Sequence, residues 1–185
     1  MFASIDFTAP APTVAQHLIG TILLVDGIGG RIVETEAYDR DDPASHSHAG
    51  ITSRNRAMFG EPGHLYVYRS YGLHWCLNFV CQKPGHGAAV LIRAIEPLEG
   101  LDVMRARRHL EPVQLLCAGP GRLTQALGIT HAHNGLPLNA APFLLKQNQN
   151  SFTCICGPRI GISKAVDMPW RFGLAGSKFL SRPFK

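Results

Sequence analysis

Lysine is scarce in this chain. Five lysines stand against 13 arginines, and none occurs before Lys83. An amine nucleophile acting in the first half of the chain would have to come from the distant second half. Tyrosine is just as confined, with four in all, at positions 38, 66, 68 and 71. The five cysteines (Cys76, Cys81, Cys117, Cys154, Cys156) are odd in number and never spaced C-x2-C, so reduced thiols are expected. Three X-x-X pairs (His46 with His48, His131 with His133, Cys154 with Cys156) lack the usual spacing of structural zinc, and no metal is expected. No apolar window reaches the length of a membrane span, and the first residues lack the basic head and apolar run of a signal peptide. The expectation is a cytoplasmic protein, or a nuclear one in a eukaryote, with no membrane attachment.

What remains suits a soluble globular protein. The 185 residues are 45% hydrophobic and 17% charged, enough for one domain over 1–185 with a true core. A formal charge of +5 leans toward a polyanionic partner, and arginine suits bidentate phosphate contacts. A moderately basic enzyme, or GC-rich coding, accounts for both features equally well.

Local patterns predict mixed α and β structure. Thr13 can cap a helix over 14–19 that Gly20 ends. A β-branched run over 21–25, a turn over 26–30 and a strand over 31–38 predict an antiparallel hairpin. A polar loop follows over 39–53, then a helical turn over 54–59 capped by Ser53. Strands over 64–69 and 74–81 flank a hairpin tip at 70–73. A strand over 87–95 ends at Glu96-Pro97. Helices are predicted from Glu99 or Leu101 to Arg108 and from Pro120 to Gly128. Residues 131–141 read as a loop. Short strands are predicted over 143–145, 152–156, 159–162 and 170–174, with a surface tail over 177–185.

The strand 31–38 carries unusual chemistry. Period-2 alternation sets Ile32, Glu34, Glu36 and Tyr38 on one face and Val33, Thr35 and Ala37 on the other. The two carboxylates stand about 7 Å apart. One of them could activate water for glycosidic hydrolysis. The simpler reading is that they pair with Arg31 or Arg93, and Arg93, inside an apolar strand, itself wants a carboxylate or a phosphate. Tyr38, His46 and Tyr68 could make an aromatic box for a planar heterocycle, or an ordinary core cluster. Tyr71 at the hairpin tip fits a wedge that fills the gap left by an extruded base. Arg54, Arg56 and Arg69 flank this region and could hold phosphates, or simply be solvated.

Several motifs, in order, make the chain recognisable. They are Arg31-Ile32-Val33-Glu34-Thr35-Glu36-Ala37-Tyr38, Ala44-Ser45-His46, Arg54-Asn55-Arg56-Ala57-Met58-Phe59, Pro62-Gly63-His64-Leu65-Tyr66-Val67-Tyr68 and Tyr71-Gly72. Leu91 to Gly100, Cys117 to Leu123 and Gly157 to Ile162 follow. From about Thr13 to Pro183 the chain resembles the alkyladenine (3-methyladenine) DNA glycosylase family. The segment 130–150 matches little, and His48 stands where some members carry arginine.

That resemblance implies an α+β fold: a single mixed domain with a curved antiparallel sheet, flanking short helices and a protruding β-hairpin. It implies a monomer that meets double-stranded DNA through the minor groove and flips a damaged purine. Alkylated, deaminated or etheno purines are then cut at the N-glycosidic bond by water, leaving an abasic site and an intact strand, with no cofactor. By motif, Glu36 matches the general base and Arg93 the arginine beside it. Tyr38, His46 and Tyr68 match the stacking box, Tyr71 the intercalating residue, and Asn78 the residue that disfavours the amine of guanine. Glu34 becomes the structural acid. Arg54, Arg56, Arg69, Arg122 and Arg159 are the candidates for DNA-backbone contact. Two other classes stay open. A non-catalytic nucleic-acid-binding module would bind DNA and release no base. A hydrolase of free nucleosides or O-glycosides would not need Tyr71.

Overall fold

The computed structural model describes residues 5–147 and 152–184. Strand β1 (Ile22–Val25) turns through Asp26-Gly27 into β2 (Ile28–Tyr38), and Val25 pairs directly with Ile28. Both turn residues have positive φ, 50° and 77°, as a two-residue hairpin requires to match the strand twist. Strand β2 therefore begins three residues before the expected 31. Gly29 and Gly30 belong to it through their pairing with Leu24 and Leu23, and both are glycine because a Cβ on either would lie about 2 Å from the carbonyl oxygen of Leu23 or Glu96.

Strands β3 (Leu65–Ser70), β4 (His74–Cys81) and β5 (Ala88–Glu99) complete the first half of an antiparallel sheet in the order β3-β4-β5-β2. Beyond β2 the sheet forks. The first half of β2 pairs with β1, which pairs with β6 (Phe143–Lys146). The second half pairs with β8 (Arg171–Leu174), which pairs with β7 (Cys154–Gly157). The fold is α+β, a curled antiparallel sheet with short helices against its inner face, as the motifs implied.

Those helices are α1 (Ala11–His17), α2 (Leu101–Arg108), α3 (Val113–Leu116) and α4 (Pro120–Leu127). The Thr35 hydroxyl donates to the Ala15 carbonyl, and the Thr124 hydroxyl to that of Trp75. Leu18, Leu23, Ile32, Leu65, Leu77, Phe79, Ile92, Ile95 and Leu123 are fully buried between helices and sheet. Each contributes about 1.5–3 kcal/mol through removal of apolar surface from water.

Strict alternation fails inside β2, and the failure shapes the molecule. Ile32 pairs with Ile95, Glu34 with Ala94, and Thr35 with Ile92. Val33 is therefore an extra residue on β2, and Arg93 an extra residue on β5. Each bulge shifts the facing by one residue. Ile32 consequently shares the core with Ala37, on the face opposite to Glu36 and Tyr38. The expectation that Ile32 lines up with the carboxylates is corrected.

Other expectations shift too. Helix α1 begins after Pro10 with Pro12 in its first turn, and Thr13 caps nothing because it lies inside the helix. The helical turn near 54–59 is a 3-10 helix at Arg56–Phe59. Instead of Ser53, Thr52 and Asn55 exchange bonds between side chain and backbone before it. Strand β5 runs through Pro97, which pairs with Gly30 at a register shift that spares the missing N–H. Residues 159–162 form no strand, and a 3-10 helix, His131–His133, interrupts the loop expected at 131–141. The tail is more than surface, since Ser181 and Phe184 pack onto buried charges. Lys185, and part of the poorly matching segment near 150, lie outside the described residues.

Candidate functional site

On the outer face of β2, β3, β4 and β5 lies a cavity of about 800 Å³. Its size falls in the range of small-molecule sites. Just beneath its wall is Glu36, fully buried. Glu36 Oε2 accepts from the Tyr38 hydroxyl at 2.7 Å and lies 3.3 Å from Arg93 Nη1, while Oε1 accepts from the Ile160 N–H at 2.7 Å. Tyr38, Arg93 and Ile160 all line the cavity, so the carboxylate meets it through its three partners.

Glu34 is also fully buried, with a different set of donors. Its Oε1 accepts from Arg93 Nε at 3.2 Å, Arg171 Nε at 2.7 Å and the Ser181 hydroxyl at 2.8 Å, and its Oε2 accepts from the Ser181 N–H at 2.6 Å. Arg31, the other partner considered for these acids, pairs with Glu96 instead. Arg93 thus bridges the two acids from the β5 bulge. Burial works against its charge, yet the carboxylates of Glu36 and Glu34 more than offset this and raise its pKa.

The walls are aromatic. The Tyr66 and Tyr68 rings stack with centroids 5.3 Å apart. His46 stands edge-on to Tyr68 at 4.5 Å, its Nδ1 held 2.9 Å from the Tyr66 hydroxyl. Asn78 donates to the Tyr66 carbonyl and faces the cavity. Burial, then the charge of Arg54, lowers the His46 pKa, so the imidazole is neutral at pH 7. Burial raises the Tyr66 pKa to about 12. The Tyr38 and Tyr68 pKa values also rise, through burial first and then the Glu36 carboxylate for Tyr38 and Cys76 for Tyr68.

The rim is open to solvent. Tyr71 is 88% exposed with φ 49°, at the tip of the β3-β4 hairpin, and Leu73 beside it is also exposed. Of the arginines expected on DNA, Arg54, Arg56, Arg69 and Arg122 are exposed. Arg54 donates to the Arg69 carbonyl, and Arg69 lies over Trp75.

Arg159 is a correction. It is buried, donates to both Asp42 carboxylate oxygens and to the Ala37 carbonyl, and lies between the rings of Tyr38 (4.7 Å) and Trp170 (5.4 Å). A guanidinium so enclosed is a structural cation and not a phosphate clamp. Among the described residues, no group of three or more His, Cys, Asp or Glu side chains could hold a metal ion. No described helix is long and apolar enough to cross a membrane.

Sequence reasoning missed Ile160, Arg171 and Ser181. The first acts through a backbone N–H, which no side-chain pattern advertises. The other two lie 137 and 147 residues from Glu34. It noted Tyr66 without giving it a role, though the alternation Tyr66-x-Tyr68 already set both rings on one strand face.

Comparison with known proteins agrees with this geometry. A family model described as methylpurine-DNA glycosylase matches residues 5–178. A Nitrosospira multiformis protein named "Putative 3-methyladenine DNA glycosylase" is 64% identical over 182 residues, 98% of this chain and 94% of that protein. Proteins of the same name from Bradyrhizobium diazoefficiens and Rhodopseudomonas palustris are 60% and 58% identical, covering 92% and 97% of this chain and 86% and 89% of their own. With the match running through the strand of Glu36, the aromatic walls and the hairpin, the chain belongs to the methylpurine-DNA glycosylase family.

Proposed function

We propose that this protein is a DNA-3-methyladenine glycosylase. It draws an alkylated purine, such as 3-methyladenine or 7-methylguanine, or a deaminated or etheno purine, out of duplex DNA and hydrolyses its N-glycosidic bond. The observation that carries the reading is the buried Glu36–Arg93 pair directly beneath a cavity walled by Tyr38, His46, Tyr66 and Tyr68.

A methylated purine already carries positive charge and is a good leaving group. The enzyme needs mainly a placed water and negative charge near the developing oxocarbenium ion. Glu36 can supply both, since its Oε1 has one hydrogen-bond partner and a second lone pair. A cationic base beside the tyrosine faces gains about 0.5–2 kcal/mol of cation–π attraction that a normal base lacks. Neutral His46 adds no opposing charge. Asn78, tied to Tyr66 and facing the cavity, is the residue assigned to disfavour the guanine amine by its bulk.

Tyr71 acts as the wedge from the minor-groove side. Among the described residues no lysine lines the cavity, which favours direct attack by water and an abasic product in an unbroken strand. The protein works as a monomer on DNA and needs no cofactor.

The test is incubation with methylated duplex DNA, followed by identification of the released base and of the strand. Free 3-methyladenine or 7-methylguanine and uncut strands are expected. Glu36→Gln should stop release while abasic-site DNA still binds. Normal turnover by Glu36→Gln, or strand scission by the intact protein, would overturn the reading.

A further inference from the structure

Glu34 and the segment that follows β8 are tied together more tightly than a surface tail requires. Both hydrogen-bond donors of Ser181 are spent on this carboxylate, the N–H on Oε2 at 2.6 Å and the hydroxyl on Oε1 at 2.8 Å. The same hydroxyl accepts from Arg93 Nη2 at 3.4 Å. Beyond Ser181 the segment is pinned by one arginine. Arg171 donates to the Arg182 carbonyl at 2.5 Å, and its guanidinium lies 3.9 Å over the Phe184 ring.

The consequence concerns Arg93. A guanidinium and a carboxylate prefer two parallel hydrogen bonds. Arg93 does not take that arrangement with Glu34: its Nε reaches Oε1, while its Nη2 is met by the Ser181 hydroxyl, which stands between it and the carboxylate. Held to Glu34 through Nε alone, Arg93 keeps Nη1 turned to Glu36 at 3.3 Å. Without the hydroxyl, the guanidinium is free to swing into the two-bond pairing with Glu34 and away from Glu36.

We infer that Ser181 is a positioning residue of the reaction, and that the segment 181–184 sets the geometry of the Glu36–Arg93 pair. This rests on the glycosylase reading above.

The experiment compares Ser181→Ala and Ser181→Thr with the unaltered protein on methylated duplex DNA, under single-turnover conditions. Affinity for abasic-site duplex and melting temperature are measured on the same samples. Loss of hydrogen bonds to charged groups predicts that Ser181→Ala slows base release on the order of tenfold. Its affinity should stay within about twofold. Ser181→Thr keeps a hydroxyl and should recover most of the rate. An unchanged rate in Ser181→Ala, a parallel fall of rate, affinity and melting temperature, or failure of threonine to rescue would each overturn the inference. Should Ser181→Ala not fold, Phe184→Leu asks the same question from beneath Arg171. Slower release at unchanged affinity supports the inference, and an unchanged rate refutes it. If the unaltered protein releases no base at all, it is the glycosylase reading that fails.

Discussion

Replacing Asp42 by alanine leaves a guanidinium with nowhere to go. Both side chains of the Asp42–Arg159 pair are fully buried, and Arg159 is enclosed by Tyr38 and Trp170. Breaking a buried pair from one side strands a charge and costs about 3–5 kcal/mol. Asp42→Ala also removes the acceptor of the Ala44 N–H. At about 2–4 °C per kcal/mol for a chain of this size, melting should fall on the order of 10 °C. Removing both charges at once is milder, because no charge is left unpaired. The double variant Asp42→Ala/Arg159→Met should therefore be about 2 kcal/mol or more better than the sum of the single variants. Even where it folds well, it should release base slowly, since Arg159 backs the tyrosine that holds Glu36. Thermal and urea melts of the four proteins measure the coupling. Strictly additive losses would refute the claim that this cation is structural, and would return Arg159 to the DNA-facing set.

Two further outcomes are expected. Tyr71→Ala should weaken binding to lesion duplex more than to lesion single strand, with melting unchanged because the ring is exposed; equal losses on both substrates would argue against a wedge. For His46 the folded pKa lies below the ordinary histidine value, through burial and then Arg54. The stability it contributes is full above the unfolded pKa of about 6.5 and is lost as pH falls through the lowered folded value. His46→Asn should flatten the pH dependence of melting in that window, and an unchanged profile would show that the imidazole titrates freely.

Much of this was legible in the sequence wherever the signal was local. Asp26-Gly27 marks its hairpin, Pro120 and Gly128 bracket α4, and the tip at Tyr71 follows from the two strands around it. The motif strand announced its carboxylates. Three features were not legible, for one physical reason: each depends on a partner far away in the chain. Alternation over 32–38 assumes a regular ladder, and only pairing with β5 reveals that Val33 and Arg93 are extra. Pro97 reads as a terminator until Gly30 is seen opposite. Arg159 reads as a basic residue opening a short strand until Asp42, 117 residues earlier, closes on it.

The two bulges carry a consequence for how such a chain can change its length. They cancel: Ile32 faces Ile95 before them, and Thr35 faces Ile92 after them, at the same offset. Loss of Val33 alone would remove the extra residue and leave Ile32, Thr35 and Ala37 inward and Glu36 and Tyr38 outward, with each pair still opposite its partner. Loss of Arg93 would do the same for β5 but take the bridging arginine with it. A residue dropped from the regular stretch beyond the bulge, Thr35 to Tyr38, has no such slack and would reverse the facing of all that follow it in the strand. The sheet can therefore shorten at its bulges without turning the carboxylates inward, and nowhere else along β2.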